Sequence, residues 1–300
     1  MGVWVAGLTE RDGSAPLISV VVTAYNRREY LKRAVDSVLC QTLPRDRYEV
    51  VVSKNFEFDL DSEWSDLGVK LVFFDRPGLG ARVADALRYC KGDVVCLLED
   101  DDVYHQDRLE RVLGVWGGRT LYYHSAFEMF TDDGRRLGVF DANPWRNCSS
   151  TAVHRWVLTS SEPYLREVRL HLDMFYYIAF RSLGRADGCV VDTHPTTSAR
   201  MHRSPDRSRE YAADGEVMRR MLLDRLGSTA ALEEIVDHLN LTKKVVGGGR
   251  ITPREYARYA ASAIEAGVHD SYWLRRMAEV SAGFILPGVF RRLYRSRNLS

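Results

Sequence analysis

Ile18-Ser-Val-Val-Val-Thr-Ala-Tyr-Asn-Arg27 is the stretch that decides the fold. Its first six residues are mostly β-branched and apolar, as a strand buried on both faces requires, and the run stops on polar groups. Arg28 to Cys40 follows, with Leu31, Ala34, Val35, Val38 and Leu39 at helical spacing. The same alternation repeats downstream. Glu49-Val-Val-Val-Ser53, Lys70-Leu-Val-Phe-Phe74 and Asp93-Val-Val-Cys-Leu-Leu98 predict three more strands, with helices over Gly80–Cys90 and Gln106–Val115. Strands and helices alternating at this spacing imply right-handed crossovers. The expected class is α/β: a Rossmann-like, mostly parallel open sheet with helices on both faces.

Outward from this core the pattern changes. Residues 1–16 read as an N-terminal extension. Thr120–Phe130 and Leu137–Phe140 flank Asp132-Asp133-Gly134, a hairpin signal. Glu162–Leu183 reads as mostly helical and Cys189–Asp192 as a short strand. From Ser208 the pattern is helical, near 208–226, 229–240, 252–266 and 270–281. The polar stretch Arg203-Ser-Pro-Asp-Arg-Ser208 places a boundary near residue 205. The expected division is a domain over 17–205, with halves 17–115 and 116–205, and a helical C-terminal region over 206–300.

Of 300 residues, 45% are hydrophobic and 28% charged, which excludes a disordered or collagen-like chain. Lys+Arg 42 balances Asp+Glu 41 to a net charge of +1, so no nucleic-acid partner is expected. Cys40, Cys90, Cys96, Cys148 and Cys189 are scattered and lack CxxC spacing. They read as reduced thiols, not as a zinc site or disulfide framework. The opening MGVWVAGLTERDGS is apolar for too few residues to be a signal peptide, and no stretch approaches the ~18 apolar residues of a membrane span. A cytoplasmic protein is expected.

Open parallel sheets bind ligands beyond the carboxyl ends of their strands. The first strand is followed by Thr23-Ala-Tyr-Asn-Arg27 and the second by Ser53-Lys-Asn55. The third is followed by Asp75-Arg-Pro-Gly-Leu-Gly-Ala-Arg82 and the fourth by Glu99-Asp-Asp-Asp102. Adjacent carboxylates repel one another, and burial raises the cost. A divalent cation offsets it, and an all-oxygen ligand set suits Mg2+ or Mn2+, which leave positions for substrate phosphates. The alternative is a solvated acidic turn leading into the next helix.

Ile18–Arg27, followed by Leu31-Lys-Arg-Ala-Val-Asp-Ser-Val-Leu-Cys-Gln-Thr42, resembles the opening of the family 2 glycosyltransferases. Gly80-Ala-Arg82, Gly92-Asp93, Leu97-Leu-Glu-Asp-Asp-Asp102 and Asp107-Arg-Leu109 resemble that family's second block. The resemblance implies a GT-A fold and inverting transfer from a nucleotide-sugar donor to an acceptor hydroxyl. It implies that Thr23, Tyr25 and Asn26 contact the nucleotide and that Arg82 faces the nucleotide or diphosphate. Asp101 takes the metal position of the family's Asp-x-Asp, Asp100 faces the ribose or metal, and Glu99 replaces the first aspartate. Ser53-Lys54-Asn55 replaces an aspartate pair that reads the base. Ser53 and Asn55 become the base contacts, Lys54 adds a positive charge there, and UDP, GDP and dTDP donors all stay open. Asp173, in Leu172-Asp173-Met174, takes the place of the general base. Arg200-Met-His202 resembles the family's Arg-x-His, which makes His202 a metal-ligand candidate with His194 as its rival. Trp156 with His154 is a candidate for the acceptor side.

Other motifs carry less. Gly78-Leu-Gly80 has Val83 at the third glycine position of a dinucleotide fingerprint and follows the wrong strand, and there is no GxxxxGK[ST] loop. Two other functions remain open: a sugar-phosphate nucleotidyltransferase, and a non-catalytic sugar-nucleotide-binding or scaffold protein on this fold. A retaining outcome also remains open. Over residues 284–297, Phe284-Ile-Leu-Pro-Gly-Val-Phe290 adjoins Arg291, Arg292, Arg295 and Arg297. That pattern suits an anionic membrane surface, or docking onto the domain or a second subunit in a homo-oligomer.

Overall fold

The computed structural model describes residues 18–74, 78–117, 119–142, 146–184, 188–201, 207–266 and 271–298. The alternating half runs β1 (Ile18–Ala24), α1 (Leu31–Leu39), β2 (Tyr48–Lys54), α2 (Asp61–Asp66), β3 (Val69–Phe73), α3 (Leu79–Ala86) and β4 (Val94–Glu99). Next come β5 (Val103–Tyr104), α4 (Arg108–Val115), β6 (Tyr122–Thr131), β7 (Arg136–Phe140) and β8 (Thr151–His154). Then follow α5 (Arg155–Ser160), α6 (Glu162–Leu165), α7 (Leu172–Arg181) and β9 (Cys189–Met201). These strands form one sheet in the order β3-β2-β1-β4-β8-β6-β9-β5, with β7 paired to β6. The block β3-β2-β1-β4 is parallel. Beyond it β8 inserts antiparallel between β4 and β6, while β9 runs parallel to β6 and antiparallel to β5.

The two-residue period of the strands sorts the core into layers. Val20, Val22, Val50 and Val52 pack with Val35 of α1, Trp64 of α2 and Val112 of α4. Val21, Val51 and Val95 pack on the other face with Val83 of α3, Val157 of α5 and Phe175 of α7. Each such fully buried side chain contributes roughly 1.5–3 kcal/mol. Helices therefore cover both faces, as expected. Two glycines allow close approaches. A Cβ at Gly80 would lie 2.0 Å from the Leu165 carbonyl oxygen, and one at Gly92 would lie 2.7 Å from the Ser19 nitrogen.

Beyond the added helices α2 and α5, three features near the site differ from the sequence expectation. β5 and β8 are extra strands, short enough to carry no periodic signal of their own. β9 continues past Asp192 to Met201 through register shifts opposite Ser125–Glu128, because β6 and β5 flank its polar residues. The helix expected over 162–183 is broken between α6 and α7, where Asp214 takes the backbone N–H groups of Arg169, Leu170 and His171.

The remaining helices are α8 (Ser208–Leu226), α9 (Ala230–Val246), α10 (Pro253–Glu265), α11 (Ser271–Ile285) and α12 (Pro287–Asn298). Met218, Met221 and Leu222 of α8 and Ile235 of α9 share the core layer of α7. Leu241, Val245, Tyr259, Ala263, Val280 and Phe290 form a separate cluster that binds α9 to α12. No described helix is long and apolar enough to cross a membrane. Cys40, Cys90, Cys96 and Cys148 are free, and burial pushes the Cys96 thiol up to about 11, which disfavours the reactive thiolate.

Candidate active site

β4 emerges from the core at Glu99 and must reverse to reach β5. The Asp102 N–H donates to the Glu99 carbonyl at 3.1 Å, closing a tight turn that gathers the acidic run. Burial is the chief reason the proton affinities of Glu99, Asp100 and Asp102 rise. It pushes Glu99 well above the usual carboxylate range, with Asp102, Asp101, Asp173 and Asp100 adding repulsion. It pushes Asp102 up to about 7, with Asp101 adding to the rise, even though Ser149 and the Arg200 backbone N–H hydrogen-bond this carboxylate. The Arg200 N–H donates to Asp102 Oδ1 at 2.9 Å, and the Glu99 N–H donates to Ser149 Oγ at 3.0 Å. Burial raises Asp100 as well, against the Arg27 guanidinium, whose Nε donates to Asp100 Oδ2 at 3.1 Å.

Glu99, Asp101 and Asp102 line a cavity of about 450 Å³. Asp173, in the first turn of α7, lines it too. Burial holds Asp173 above the usual aspartate range, opposed by His171, whose Nε2 lies 3.6 Å from Asp173 Oδ1. Its Oδ1 also accepts the Met174 N–H at 2.8 Å. Arg146 and Arg200 bring positive charge to the same lining, His171 adds an imidazole, and Tyr211 of α8 adds an aromatic face. The Tyr211 and His171 rings meet edge to face at 5.0 Å.

The nucleotide candidates stand at the carboxyl ends of β1 and β2, beside this cavity rather than in its lining. Thr23 lies opposite both Ser53 and Glu99 in the parallel ladder. Ser53 Oγ is buried with no hydrogen-bond partner among the described residues. Tyr25 is 40% exposed, and the Arg82 guanidinium sits 4.3 Å from its ring centroid. Asn26 and Asn55 bind each other: the Asn26 N–H donates to Asn55 Oδ1 at 2.9 Å and Asn55 Nδ2 donates to Asn26 Oδ1 at 2.7 Å. Lys54 departs from expectation. Strand alternation turns it away from Ser53, into a buried site where Nζ donates to Asp61 Oδ2 at 2.7 Å and to the Phe56 carbonyl at 2.6 Å. Its charge is neutralised there and does not face a nucleotide base.

His202 lies outside the described residues. His194 Nε2 is 3.6 Å from Asp107 Oδ2, away from the cavity lining. His154 caps α5, its Nδ1 accepting the Trp156 N–H at 3.1 Å, and neither residue lines the cavity. Ser149, Tyr211 and Asp214 shape the site without a sequence signal that singles them out, whereas Arg27 and Arg200 lie in the motifs of the resemblance but are given no role of their own there.

Among the described residues, no three His, Cys, Asp or Glu side chains converge to hold a metal ion unaided. The donors at the acidic turn are all oxygens, and a guanidinium already stands there as a cation: Arg27 binds Asp100 and lies 2.9 Å from Asp101. This set fits Mg2+ or Mn2+ held by one or two carboxylates with phosphates completing the shell.

Comparison with known proteins bears on the same segment. The profile described as glycosyl transferase family 2 matches residues 19–137. The putative teichuronic acid biosynthesis glycosyltransferase TuaG of Bacillus subtilis is 29% identical over 133 residues, 42% of this chain and 52% of TuaG. An uncharacterized glycosyltransferase of Rickettsia felis is 25% identical over 130 residues, 41% of this chain and 21% of that protein. The chain thus spans about half or less of these relatives. The S. aureus TarS 1–349 structure superposes with a TM-score of 0.57 at 14% identity, covering 94% of this chain and 88% of that one. At that identity the likeness is one of fold, and it extends through the C-terminal helices. Residues 19–137 of this chain are thus similar to the glycosyl transferase family 2.

Proposed function

We propose that this chain transfers a glycosyl group from a nucleoside-diphosphate sugar to an acceptor hydroxyl, with inversion at the anomeric carbon. One arrangement supports this above all: Asp173 on α7 and the carboxylates ending β4 face one cavity large enough for a sugar. The nucleotide lies across the ends of β1, β2 and β4. Thr23, Tyr25, Asn26, Ser53 and Asn55 contact the nucleoside, while Arg82 and Asp100 stand near its ribose and phosphates. TarS has been crystallised with UDP and with UDP-GlcNAc, which makes UDP donors the first to test beside GDP and dTDP. Residues 17–115 serve the donor and 116–205 the acceptor, while the helices after 206 buttress α7.

Asp101, with Glu99 and His202 as further candidates, would hold Mg2+ or Mn2+. When bound, the ion neutralises charge on the departing diphosphate. Asp173 accepts the acceptor's hydroxyl proton as its oxygen bonds to the anomeric carbon and the bond to the diphosphate breaks. A carboxylate whose proton affinity is raised by burial is suited to that step near neutral pH. The exposed apolar side chains of α12 would touch an anionic membrane surface from the cytoplasmic side.

Thermal-shift titration with UDP-, GDP- and dTDP-sugars, each with and without Mn2+, tests the proposal, because stabilisation follows affinity. One donor should stabilise more strongly with Mn2+ than without. Asp101→Ala should remove the metal-dependent part, and Asp173→Asn should keep donor binding and lose transfer. No stabilisation by any nucleotide sugar would overturn the proposal.

A further inference from the structure

Arg27 follows Asn26, whose φ of +55° is in the left-handed region. The paired amides of Asn26 and Asn55 hold that conformation and bend the chain sharply as it leaves β1. The bend delivers the Arg27 guanidinium to the acidic turn that ends β4. Its Nε donates to Asp100 Oδ2 at 3.1 Å, its terminal nitrogen donates to Asp100 Oδ1, and the same nitrogen lies 2.9 Å from Asp101 Oδ2. The Arg27 side chain is 34% exposed, whereas those of Asp100 and Asp101 are 7% and 9% exposed. One half-buried guanidinium therefore bridges two buried carboxylates, one of which also lines the cavity.

We propose that Arg27 is an exchangeable counter-ion: it neutralises Asp100 and Asp101 while the donor is absent, and yields Asp101 when a divalent cation arrives with the donor's diphosphate. The proposal rests on the metal-dependent transfer described above. A guanidinium and a divalent ion cannot share one carboxylate oxygen without strong repulsion between them. An ion arriving alone must displace the guanidinium from Asp101 and then stand beside a cation that Asp100 still holds. An ion arriving with a diphosphate brings anionic oxygens that the planar guanidinium can grip in exchange. The outcome is coupling: metal and nucleotide each tighten the other's binding by the same factor. A resident arginine would thereby keep the site from holding metal in the absence of substrate.

Mn2+ titration of the full chain, followed by electron paramagnetic resonance, tests this without measuring activity. Wild type should bind Mn2+ weakly alone and at least about tenfold more tightly with UDP, GDP or dTDP. Arg27→Gln should bind Mn2+ alone about tenfold more tightly than wild type, with the nucleotide-dependent gain reduced. Arg27→Lys keeps the charge without the two-pronged bridge and should fall between them; it decides the matter if Arg27→Gln does not fold. Adding Asp101→Asn to either variant should abolish the gain. If nucleotide tightens Mn2+ in wild type but neither variant binds Mn2+ alone more tightly, the exchange role is overturned and the metal-dependent transfer stands. If no nucleotide promotes Mn2+ binding in any form, both fall.

Discussion

Asp214 of α8 accepts the backbone N–H of His171 at 2.8 Å, although 43 residues separate them in the chain. The same carboxylate accepts the N–H groups of Arg169 at 2.8 Å and Leu170 at 2.9 Å, and Asp214 is fully buried. Three donors at the head of α7 thus depend on one side chain from the C-terminal helices. Hydrogen bonds to a charged group are each worth about 1.5–3 kcal/mol, and water entering the truncated site would recover part of the three, so Asp214→Ala should cost roughly 2–5 kcal/mol of stability. Because the segment carries Asp173 into the cavity, transfer should fall further than donor affinity does. Urea unfolding, alongside kcat and donor Kd, would show it. Unchanged kcat in a destabilised variant would mean that the loop keeps its place unaided.

Asp173 offers a pH signature. A general base works deprotonated, and burial raises this carboxyl above its ordinary range. The acid limb of kcat should therefore lie at higher pH than a solvated aspartate would give. Asp173→Asn should lower kcat by about 10²–10⁴ and remove that limb, while thermal shifts with donor persist. A variant that keeps most of its kcat would return the base assignment to another residue.

Much of this fold was legible because its first half obeys simple periodicities. Continuous apolar runs marked β1 to β4, and helical spacing marked α1, α3 and α4. What stayed hidden depends on contacts across the chain. Thr151–His154 is a strand only because β4 and β6 flank it. The polar residues from Thr193 to Met201 are a strand only because β6 and β5 pair with them. The acidic turn was visible as a run of identical charge, but its partners were not. Arg27 reads as one more surface arginine until Asn26 turns it inward, and nothing near Asp214 announces three backbone donors from the loop that leads into α7. Lys54 was misread although the signal was present: in a strand, neighbours point to opposite faces, so Ser53 and Lys54 cannot both face one ligand.

The C-terminal helices are joined to α7 by a buried charge pair. Arg276 of α11 donates from Nε and a terminal nitrogen to both Glu234 carboxylate oxygens of α9, each at 2.7 Å, and neither side chain is exposed. The Tyr259 hydroxyl adds a third bond to Glu234 at 3.3 Å, and Arg276 also reaches the Tyr177 hydroxyl of α7 at 3.3 Å. Removing one partner strands the other charge, so Glu234→Ala should cost about 3–5 kcal/mol. Replacing both, as Glu234→Leu with Arg276→Met, should cost less than Glu234→Ala alone, because no charge is left unpaired. Chemical denaturation of the three proteins decides it; a double variant weaker than the single would show that the pair adds net stability.

The outer face of α12 and the end of α11 predict where the chain meets a surface. Ile285, Leu286, Val289 and Leu293 are 68%, 57%, 52% and 56% exposed, while Phe290 is buried in the cluster that binds α9 to α12. Leu286, Val289 and Leu293 recur at spacings of three and four residues, so they form one stripe along the helix. Arg291, Arg292, Arg295 and Arg297 fall within the same segment, and it holds no acidic residue. Apolar insertion together with arginines near lipid headgroups gives binding that grows with anionic lipid and weakens with salt. The full chain should co-sediment with vesicles containing phosphatidylserine and much less with neutral vesicles. Leu286→Asp combined with Val289→Asp should reduce binding by about tenfold or more, since each exposed apolar side chain is worth roughly 1.5–3 kcal/mol when fully buried. Equal sedimentation of wild type and variant would dismiss the membrane, and self-association lost in the variant would identify a second copy of the chain as the occupant of this stripe.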